Sequence, residues 1–491
     1  MKILMVAAEA VPFAKTGGLA DVAGVLPRFL RALGHDVRVV MPRYYRVDRA
    51  DLRRVPGLLA VPMGVVGTLQ AEVWQGRLPD GDGHASDVPV YFVDFEQYFG
   101  RDGLYNEAGG QGYLDNDNRF VFLSRAALEL CHHVGFEPDV VHANDWHTAA
   151  VPLFLDTLYR ADPRLGRAAS ILTVHNMEYQ GCFYSGLMNV LDVGWEHFNH
   201  LEIEHDDEVN LLKGGIYHAT LWNTVSPRYA EEIKTARFGH GLCGVARDRA
   251  ADLRGILNGI DYAEWDPSTD PHLPAPFDAD DLSGKAVCKT ELQRELGLPQ
   301  RDVPLIGIVS RLVHQKGIDL IAAALPRILG LDVQFVLLGS GEAWAHDHFG
   351  RLHRDGPPNF AAHLGYSNPL AHRIEAGCDL YLMPSRFEPC GLNQLYSLRY
   401  GTLPIVHAVG GLDDTVQNHV EGTHQGTGFK LHDLTPQSIF DTVGWAVHTW
   451  YNRRDAFRAM QVRAMRERFT WEDAALRYVE MYTEAVARRR A

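Results

Sequence analysis

The sequence lacks the features that mark membrane, secreted and disulfide-rich proteins. Its 491 residues contain no apolar run near the ~20 residues that a membrane-spanning helix needs. A signal-peptide pattern is also missing, because Lys2 is followed at once by a predicted core strand, so we expect a cytoplasmic protein. The six cysteines are scattered without a Cys-x-x-Cys pair, which argues against a disulfide framework or a cysteine metal site.

Positive charge is also scarce. The chain has 47 Lys and Arg residues against 62 Asp and Glu residues, a net charge of −15. This balance argues against nucleic acid as a general partner. If the protein binds an anionic ligand, the cations for it must be placed locally.

Two common enzyme motifs are absent. The first strand lacks a Gly-x-Gly-x-x-Gly pattern, and Gly339-Ser-Gly341 is followed by Trp344 where a third glycine belongs. A NAD-dependent oxidoreductase is therefore disfavoured. No Gly-x-Ser-x-Gly elbow occurs, so a Ser-His-Asp hydrolase has little support.

Two polar clusters receive structural interpretations. His142, Asp145 and His147 resemble a metal cluster in composition, but their spacing matches no zinc signature, so we interpret them as a local hydrogen-bond network. The acidic run Glu202–Glu208 is interpreted as a solvated face.

Strand-like and helix-like segments alternate along the chain, which predicts an α/β class with parallel sheets and ligands beyond the carboxyl ends of the strands. A Gly/Asp turn is predicted at Pro79–Gly83, and helices at Asn118–Val134 and Trp471–Arg490. The predicted strands are Lys2–Glu9, His35–Met41, Leu58–Val65, Leu69–Val73, Val88–Val93, Asp139–Asp145, Ser170–Asn176, Asn223–Ser226, Leu305–Val309, Val333–Leu338, Ala361–Leu364, Leu380–Met383 and Leu403–Val406.

The length predicts two domains, because one core rarely serves so long a chain. A charged and Pro-rich stretch between about Ala246 and Pro276 separates two α/β series. We expect an N-terminal doubly wound domain over residues 1–250 and a C-terminal one over 251–465. The final segment, 466–491, is expected to pack back on the first domain as a helix.

The stretch Lys15-Thr-Gly-Gly-Leu-Ala-Asp-Val22 lies between the first predicted strand and a helix. Two adjacent glycines allow close approach of a ligand and positive φ, and the helix N-terminus with Lys15 suits an anion. An ordinary turn with a solvated Lys15 explains the stretch equally well.

Two loops of the second series carry the same kind of signal. Arg311 and Lys316 lie in Ser310-Arg-Leu-Val-His-Gln-Lys-Gly317, after a strand and before a helix, which suits a diphosphate. In Ser385-Arg-Phe-Glu-Pro-Cys-Gly-Leu-Asn-Gln394, Glu388 offers an acceptor carboxylate beside backbone N–H groups of a helix start. The alternatives are surface cations for the first loop and, for Glu388, a first-turn acid that complements the helix dipole.

These motifs occur together in one order along the chain. Lys15–Val22, His175-Asn176, Asn258-Gly-Ile-Asp261, Ser310–Gly317, Gly365-Tyr366 and Ser385–Gly391 resemble the motifs of bacterial glycogen synthases and plant starch synthases, over nearly the whole chain. The resemblance implies a GT-B fold, with two Rossmann-like domains facing across a deep cleft. It also implies retaining transfer of glucose from ADP-glucose to the non-reducing end of an α-1,4-glucan, without a metal ion or another cofactor.

The resemblance also implies roles for individual residues. Arg311 and Lys316 would stabilise the departing ADP, Glu388 would hold glucose hydroxyls, and His175 would orient the sugar. The implied catalytic residues are His175, Glu388, Arg311, Lys316 and Asp145. The implied donor-binding residues are Lys15, Gly18, Asn258, Arg311, Lys316, Tyr366, Glu388, Cys390, Gly391 and Leu392. The implied acceptor or sugar-binding residues are Asp21, Asp145, His175 and Asn176.

Two departures and two alternatives accompany this interpretation. Tyr396 stands eight residues after Glu388, where many other retaining GT-B enzymes carry a second glutamate, and Asn393 stands where some relatives carry Thr.

Asp145 is the one tempting carboxylate nucleophile, but same-face attack with the diphosphate as base is preferred. The alternatives are a transferase for another donor or acceptor, and a two-lobed sugar-binding protein without activity.

Overall fold

The computed structural model describes residues 1–79, 85–107, 110–423 and 425–491. The chain divides into two compact units, Met1–Gly259 with Trp471–Ala491, and Ile260–Thr470. The predicted turn Pro79–Gly83 lies, after Pro79, outside the described residues. Within the described ranges, no helix combines the length and the apolar character needed to cross a bilayer.

The strands follow the predicted alternation and add several short ones. They are β1 (Lys2–Val6), β2 (Asp36–Pro42), β3 (Arg53–Arg54), β4 (Leu59–Pro62), β5 (Thr68–Pro79), β6 (Ala85–Asp94), β7 (Val140–Asn144), β8 (Ala169–Val174), β9 (Cys182–Tyr184), β10 (Glu204–His205), β11 (Glu208–Asn210), β12 (Leu221–Thr224), β13 (Leu253–Gly255), β14 (Leu305–Leu312), β15 (Gln334–Gly341), β16 (Phe360–Leu364), β17 (Leu380–Met383), β18 (Leu403–His407) and β19 (Phe429–Leu431).

The helices connect these strands and cover the sheets. They are α1 (Gly18–Ala32), α2 (Glu96–Phe99), α3 (Asn116–His133), α4 (Ala150–Asp156), α5 (Met188–Leu191), α6 (Leu211–His218), α7 (Pro227–Glu232), α8 (Cys243–Asp248), α9 (Ser283–Glu295), α10 (Ile318–Ile328), α11 (Ala343–Asp355), α12 (Asn368–Gly377), α13 (Asn393–Arg399), α14 (Gly410–Thr415), α15 (Pro436–Asn452), α16 (Arg454–Arg466) and α17 (Trp471–Arg490).

The first unit is built around a mixed sheet with the order β13-β12-β8-β7-β1-β2-β6-β5-β3. Neighbours from β13 to β6 are parallel, whereas β5 runs antiparallel to β6, β3 and β4. Ile3, Leu4, Met5 and Val6 are all buried, as expected of a parallel strand covered on both faces. The parallel part brings the carboxyl ends of β1, β7 and β8 to one edge.

The second unit contains a parallel sheet with the order β16-β15-β14-β17-β18-β19. Strand β14 continues through Ser310 and Arg311 to Leu312, three residues beyond the predicted end at Val309. The extension pairs with Gly339, Ser340 and Gly341 of β15, whose small residues allow the two backbones to pack closely. The apparent dinucleotide motif is therefore part of a strand pair.

A buried hydrogen-bond chain attaches α17 to the sheet of the first unit. Tyr482 Oη lies 2.7 Å from His142 Nδ1, and His142 Nε2 lies 2.6 Å from Thr173 Oγ1. Thr173 donates its hydroxyl hydrogen to Asn223 Oδ1 at 2.7 Å, so it accepts from His142 Nε2–H. His142 Nδ1 then accepts from Tyr482. Burial lowers the pKa of His142 to about 3, consistent with a neutral ring.

We expect Tyr482→Phe to lower the free energy of unfolding by about 1–3 kcal/mol, because the buried His142 Nδ1 loses its donor. Chemical denaturation followed by circular dichroism measures this. Thr483→Val on the same helix is the control, since its hydroxyl bond to Val479 O is exposed and should cost less than about 0.5 kcal/mol. Equal stability of Tyr482→Phe and wild type would contradict the role of this chain of bonds.

Candidate active site

In the first unit, Asp145 and His175 meet where β7 and β8 end. Asp145 has a positive φ of 55°, which is uncommon for a residue with a side chain. Its backbone N donates to Thr173 O at 2.8 Å, and its Oδ1 accepts from His175 N at 2.6 Å. Burial raises the pKa of Asp145 to about 7, although N–H groups of His175 and Asn176 act against the rise.

The imidazole ring of His175 is buried and is oriented by a hydrogen bond with Asn144. Its Nε2 lies 3.0 Å from Asn144 Oδ1, and the amide of Asn144 donates to Val6 O at 3.1 Å. Because Asn144 presents its oxygen, His175 Nε2 carries the hydrogen and Nδ1 is the acceptor nitrogen. Burial lowers the pKa of His175 to about 3, so the ring is neutral near pH 7.

The Lys15–Val22 stretch is held by a residue that the sequence interpretation missed. The buried Glu9 accepts hydrogen bonds from Thr16 Oγ1 and Tyr105 Oη, each at 2.6 Å. Burial raises the pKa of this carboxyl. An acid at the end of the apolar stretch that contains β1, three residues after the strand, is the signal that points to Glu9. Beside it, Lys15 Nζ lies 2.7 Å from Asp21 Oδ1, with the lysine half exposed.

The positive φ predicted for Gly17 and Gly18 is wrong. Gly17 has φ −153°, an extended conformation open to any residue, and Gly18 begins α1. A Cβ added to either glycine would meet no atom within 4 Å. The glycines therefore relieve neither backbone strain nor internal packing. They leave open space beside the N-terminus of α1. The predicted close approach of a ligand requires such space.

The remaining predicted residues of this unit occupy different positions. Asn176 accepts from Glu178 N at 3.0 Å in a turn after β8. Asn258 is buried after β13, and its Oδ1 has no hydrogen-bond partner among the described residues. An unsatisfied buried acceptor of this kind is costly unless a ligand or water completes it. His147 does not join Asp145 but stacks between Tyr105 and Trp146.

In the second unit, the structure joins two residues that lie 72 positions apart. Lys316 Nζ contacts Glu388 Oε2 at 2.5 Å, and Ser385 Oγ donates to the same oxygen at 2.9 Å. Glu388 is only 5% exposed. It is therefore an ion-pair partner before α13, not a first-turn acid of that helix. In the described part of the chain both contacts end on Oε2, which leaves Oε1 for a ligand.

Backbone geometry holds this ion pair in place. Gly317 has φ +69°, and a Cβ there would lie 2.3 Å from Pro384 O. Gly410 has φ +45°, and a Cβ there would lie 2.0 Å from Glu388 O. Both positions thus require glycine, and Gly410 is a second residue that the sequence interpretation missed. Its signal is the Gly410-Gly411 pair, which begins the short helix α14.

The other predicted donor-binding residues of the second unit lie at or beyond the ends of β14, β16 and β17. Arg311 is exposed on β14, and its Nη2 lies 3.2 Å from Gln315 Oε1. Cys390 is buried, Gly391 has φ +72°, and Leu392 directly precedes α13. Tyr366 follows β16 and is 86% exposed. Arg311 and Tyr366 thus present large side chains at the carboxyl edge of the sheet.

The positions where the sequence departs from relatives also have structural roles. Asn393 donates its amide to Val309 O at 2.7 Å and to Tyr381 Oη at 2.6 Å, which anchors the start of α13 to the sheet. The ring of Tyr396 stacks on Trp265, with centroids 3.8 Å apart. Tyr396 therefore contributes an aromatic contact where a second glutamate would place a charge.

Both units match models of known protein families. Residues 2–248 match the starch synthase catalytic domain, and residues 289–458 match glycosyl transferases group 1. Glycogen synthase 1 of Geobacter metallireducens is 60% identical over 100% of this chain and 97% of that protein. Glycogen synthase of Anaeromyxobacter sp. is 49% identical over 99% of this chain and 100% of that protein.

The chain belongs to the glycogen synthase and starch synthase family.

Solved structures agree with the family assignment. The catalytic domain of starch synthase IV from Arabidopsis thaliana, bound to ADP and acarbose, is 34% identical with a TM-score of 0.89 and covers 99% of both chains. A sucrose-phosphate synthase from Thermosynechococcus elongatus is 15% identical with a TM-score of 0.61 over 99% of both chains, and shows the fold alone.

Membership of the glycogen synthase family confirms the predicted fold class and activity. The chain has the two α/β units of the GT-B fold and is a glucosyltransferase of glycogen synthesis. Its substrates are a sugar-nucleotide donor and a glucan acceptor. The roles of the individual site residues stay predictions.

Proposed function

We propose that the chain transfers glucose from ADP-glucose to the non-reducing end of an α-1,4-glucan, with retention at the anomeric carbon. The observation that carries the proposal is the Lys316–Glu388 pair at the carboxyl edge of a parallel sheet, where Arg311 bonds to Gln315, the residue before Lys316. A cation for a diphosphate and a carboxylate for sugar hydroxyls are the two groups that a sugar nucleotide requires.

Departure of ADP is the step that the cations assist. As the bond from the anomeric carbon to the diphosphate breaks, negative charge grows on the phosphate oxygens. Lys316 and Arg311 stabilise this charge without reorganisation, because both already stand at the strand ends. The N–H groups of Cys390, Gly391 and Leu392 contribute to the same site. Glu388 binds glucose hydroxyls through Oε1 while Oε2 positions the Lys316 ammonium.

His175 and Asn176 orient the glucose from the first unit. A neutral His175 suits a place near the anomeric carbon, because an imidazolium would oppose the positive charge that develops there. Burial keeps the pKa of His175 at about 3, which supports the neutral form. We assign its Nδ1 to accept a sugar hydroxyl, since Nε2 is bonded to Asn144.

Two properties of Asp145 support same-face attack over a covalent intermediate. Its pKa of about 7 leaves a large share of the carboxyl protonated near neutral pH, and its Oδ1 already accepts from His175 N. Both make it a poor nucleophile. In the proposed step the acceptor O4 bonds to the anomeric carbon on the face that the diphosphate leaves, and the O4 proton passes to a diphosphate oxygen. Asp145 then positions His175 and binds sugar.

The other predicted residues complete the substrate contacts. Lys15 and Gly18 contact the diphosphate, and the open space at Gly18 supports this placement. Asp21 binds sugar beside Lys15. Asn258 supplies its unsatisfied Oδ1 to the donor. The exposed ring of Tyr366 stacks on or near the adenine.

The donor is tested by the transfer of radiolabelled glucose to glycogen from ADP-glucose and from UDP-glucose. We expect ADP-glucose to react at least about tenfold faster at equal concentration, a difference of about 1.4 kcal/mol in the barrier. Incorporation from UDP-glucose at the same rate would contradict the donor assignment. Incorporation from neither donor would contradict the whole proposal.

We also infer that the enzyme works in the cytoplasm and has no nucleic-acid partner. The net charge of −15 supports the second statement, because a polyanion would be repelled. Fractionation of cells that express the chain, with the glucan-bound fraction counted separately, tests the first.

A further inference from the structure

A cluster of two histidines and a glutamate lies in the first unit, apart from every residue placed in the candidate active site. His197 Nδ1 lies 2.5 Å from Glu202 Oε2, and His218 Nε2 lies 3.1 Å from the same oxygen. All three ligand atoms lie within 4.8 Å of one another. Glu202 is thus not part of a solvated acidic face, which corrects the interpretation at this position, whereas Asp206, Asp207 and Glu208 are exposed as predicted.

Two backbone segments bring the cluster together, the stretch 197–202 and the end of α6. His197 ends a single helical turn, Trp195–His197, and His218 is the last residue of α6. Glu202 lies between them, and its N donates to Asn199 O at 3.1 Å. The side chains of His197 and Glu202 are 22% and 29% exposed and that of His218 is 9% exposed, so the cluster is partly buried yet open to solvent.

The geometry points to a binding site for a zinc ion, held by His197, Glu202 and His218. Zinc takes two imidazole nitrogens and a carboxylate oxygen at about 2.0–2.2 Å, which places tetrahedral ligand atoms roughly 3.3 Å apart. The 3.1 Å pair fits this spacing, and the 2.5 Å pair reaches it with a small side-chain movement. A water molecule supplies the fourth ligand.

A second contact supports a metal over a simple hydrogen-bond network. The other ring nitrogen of His218, Nδ1, lies 3.1 Å from Asp156 Oδ2. A carboxylate behind a histidine fixes which nitrogen is free to bind a metal and strengthens it as a ligand.

The connections of the cluster also fit a structural zinc ion. Glu202 supplies one negative charge to the ion, whereas Asp156 is paired with Arg489 on α17 at 3.1 Å. The site therefore connects the helices α4, α6 and α17, so zinc bound here stabilises the first unit.

Zinc binding is measured on the full chain after removal of metal with EDTA. Isothermal titration with zinc chloride is expected to give one site per chain, which Glu202→Gln and His218→Gln weaken at least about 100-fold. Asp156→Asn is expected to weaken it about 10–100-fold, as for other carboxylates behind metal ligands. His200→Ala is the matched control, because this exposed histidine lies three residues from His197 outside the cluster. It should bind zinc as wild type does.

Two further readouts separate a metal site from a fold defect or from binding at thiols. Thermal unfolding in EDTA should be similar for wild type and Glu202→Gln, whereas zinc should raise the melting temperature of wild type alone. Cobalt bound in place of zinc should give the visible absorption of a tetrahedral site without a thiolate band. No zinc binding, or equal binding by wild type and both ligand variants, would overturn the proposal. This test does not depend on the proposed glucosyl transfer.

Discussion

Replacing Lys316 with alanine should lower kcat by about 10²–10³-fold, the usual effect of removing one group that stabilises transition-state charge. The reason is the growing charge on the departing diphosphate, which then has Arg311 and backbone N–H groups but no ammonium beside it. Steady-state transfer of labelled glucose from ADP-glucose to glycogen measures the effect. We expect KM for ADP-glucose to change less than kcat, because the interaction strengthens as the bond breaks.

The control for Lys316→Ala is Arg373→Ala in the same unit. Arg373 Nη2 forms an ion pair with Glu295 at 2.7 Å, and neither residue belongs to the candidate site. Arg373→Ala also removes a cation, yet it should keep kcat within about twofold of wild type. Melting temperatures of both variants verify folding. A kcat near that of wild type in folded Lys316→Ala would remove Lys316 from the mechanism.

Replacing Glu388 with alanine is expected to cost about 10²-fold or more in kcat, and Glu388→Gln nearly as much. The glutamine keeps the length and can still accept from Ser385, but it lacks the charge that positions Lys316 and binds glucose hydroxyls. A small displacement of reacting groups can by itself cost about 10²-fold. The same transfer assay, run with saturating glycogen, measures kcat.

Glu295→Gln is the matched control for Glu388→Gln, because it removes one negative charge from the exposed pair with Arg373. It should leave transfer unchanged. A double variant, Lys316→Ala with Glu388→Ala, adds a further check. If the two residues act as one unit, the double variant loses little more than either single variant. Full additivity of the two losses would show that the ion pair does not link their roles.

The sequence predicts most strands of the parallel sheets because they are short apolar runs between turn residues, but it misses the three-residue edge strands β13 and β19. It misses the antiparallel strands β9, β10 and β11, which lie in the polar stretch 182–210 without a clear alternation. The end of β14 is also missed, since Ser310 and Arg311 look like loop residues. Their strand geometry comes from pairing with β15, which no local pattern reports.

In the candidate site, too, local motifs predict single residues but not the contacts between them. Lys316 and Glu388 can each be found from a loop motif, but a distance of 72 residues hides their contact. Glu9 is visible as an acid after a strand, yet its role depends on Thr16 and Tyr105, which only the fold brings to it. Burial decides the protonation of two residues: it lowers the pKa of His175 to about 3, which keeps the ring neutral, and it raises the pKa of Asp145 to about 7, which leaves part of that carboxyl protonated near neutral pH.

By itself the sequence determined the α/β class, the family and the set of candidate residues, because apolar periodicity and motif spacing are local properties of the chain. The tertiary structure decided which of these residues meet, which are neutral, and that His197, Glu202 and His218 converge on one point. The pairing of Lys316 with Glu388 joins segments 72 residues apart, and the neutral state of His175 depends on burial. The cluster of His197, Glu202 and His218 lies within residues 197–218, but its contacts depend on how that stretch folds back on α6. These effects arise only when the chain packs.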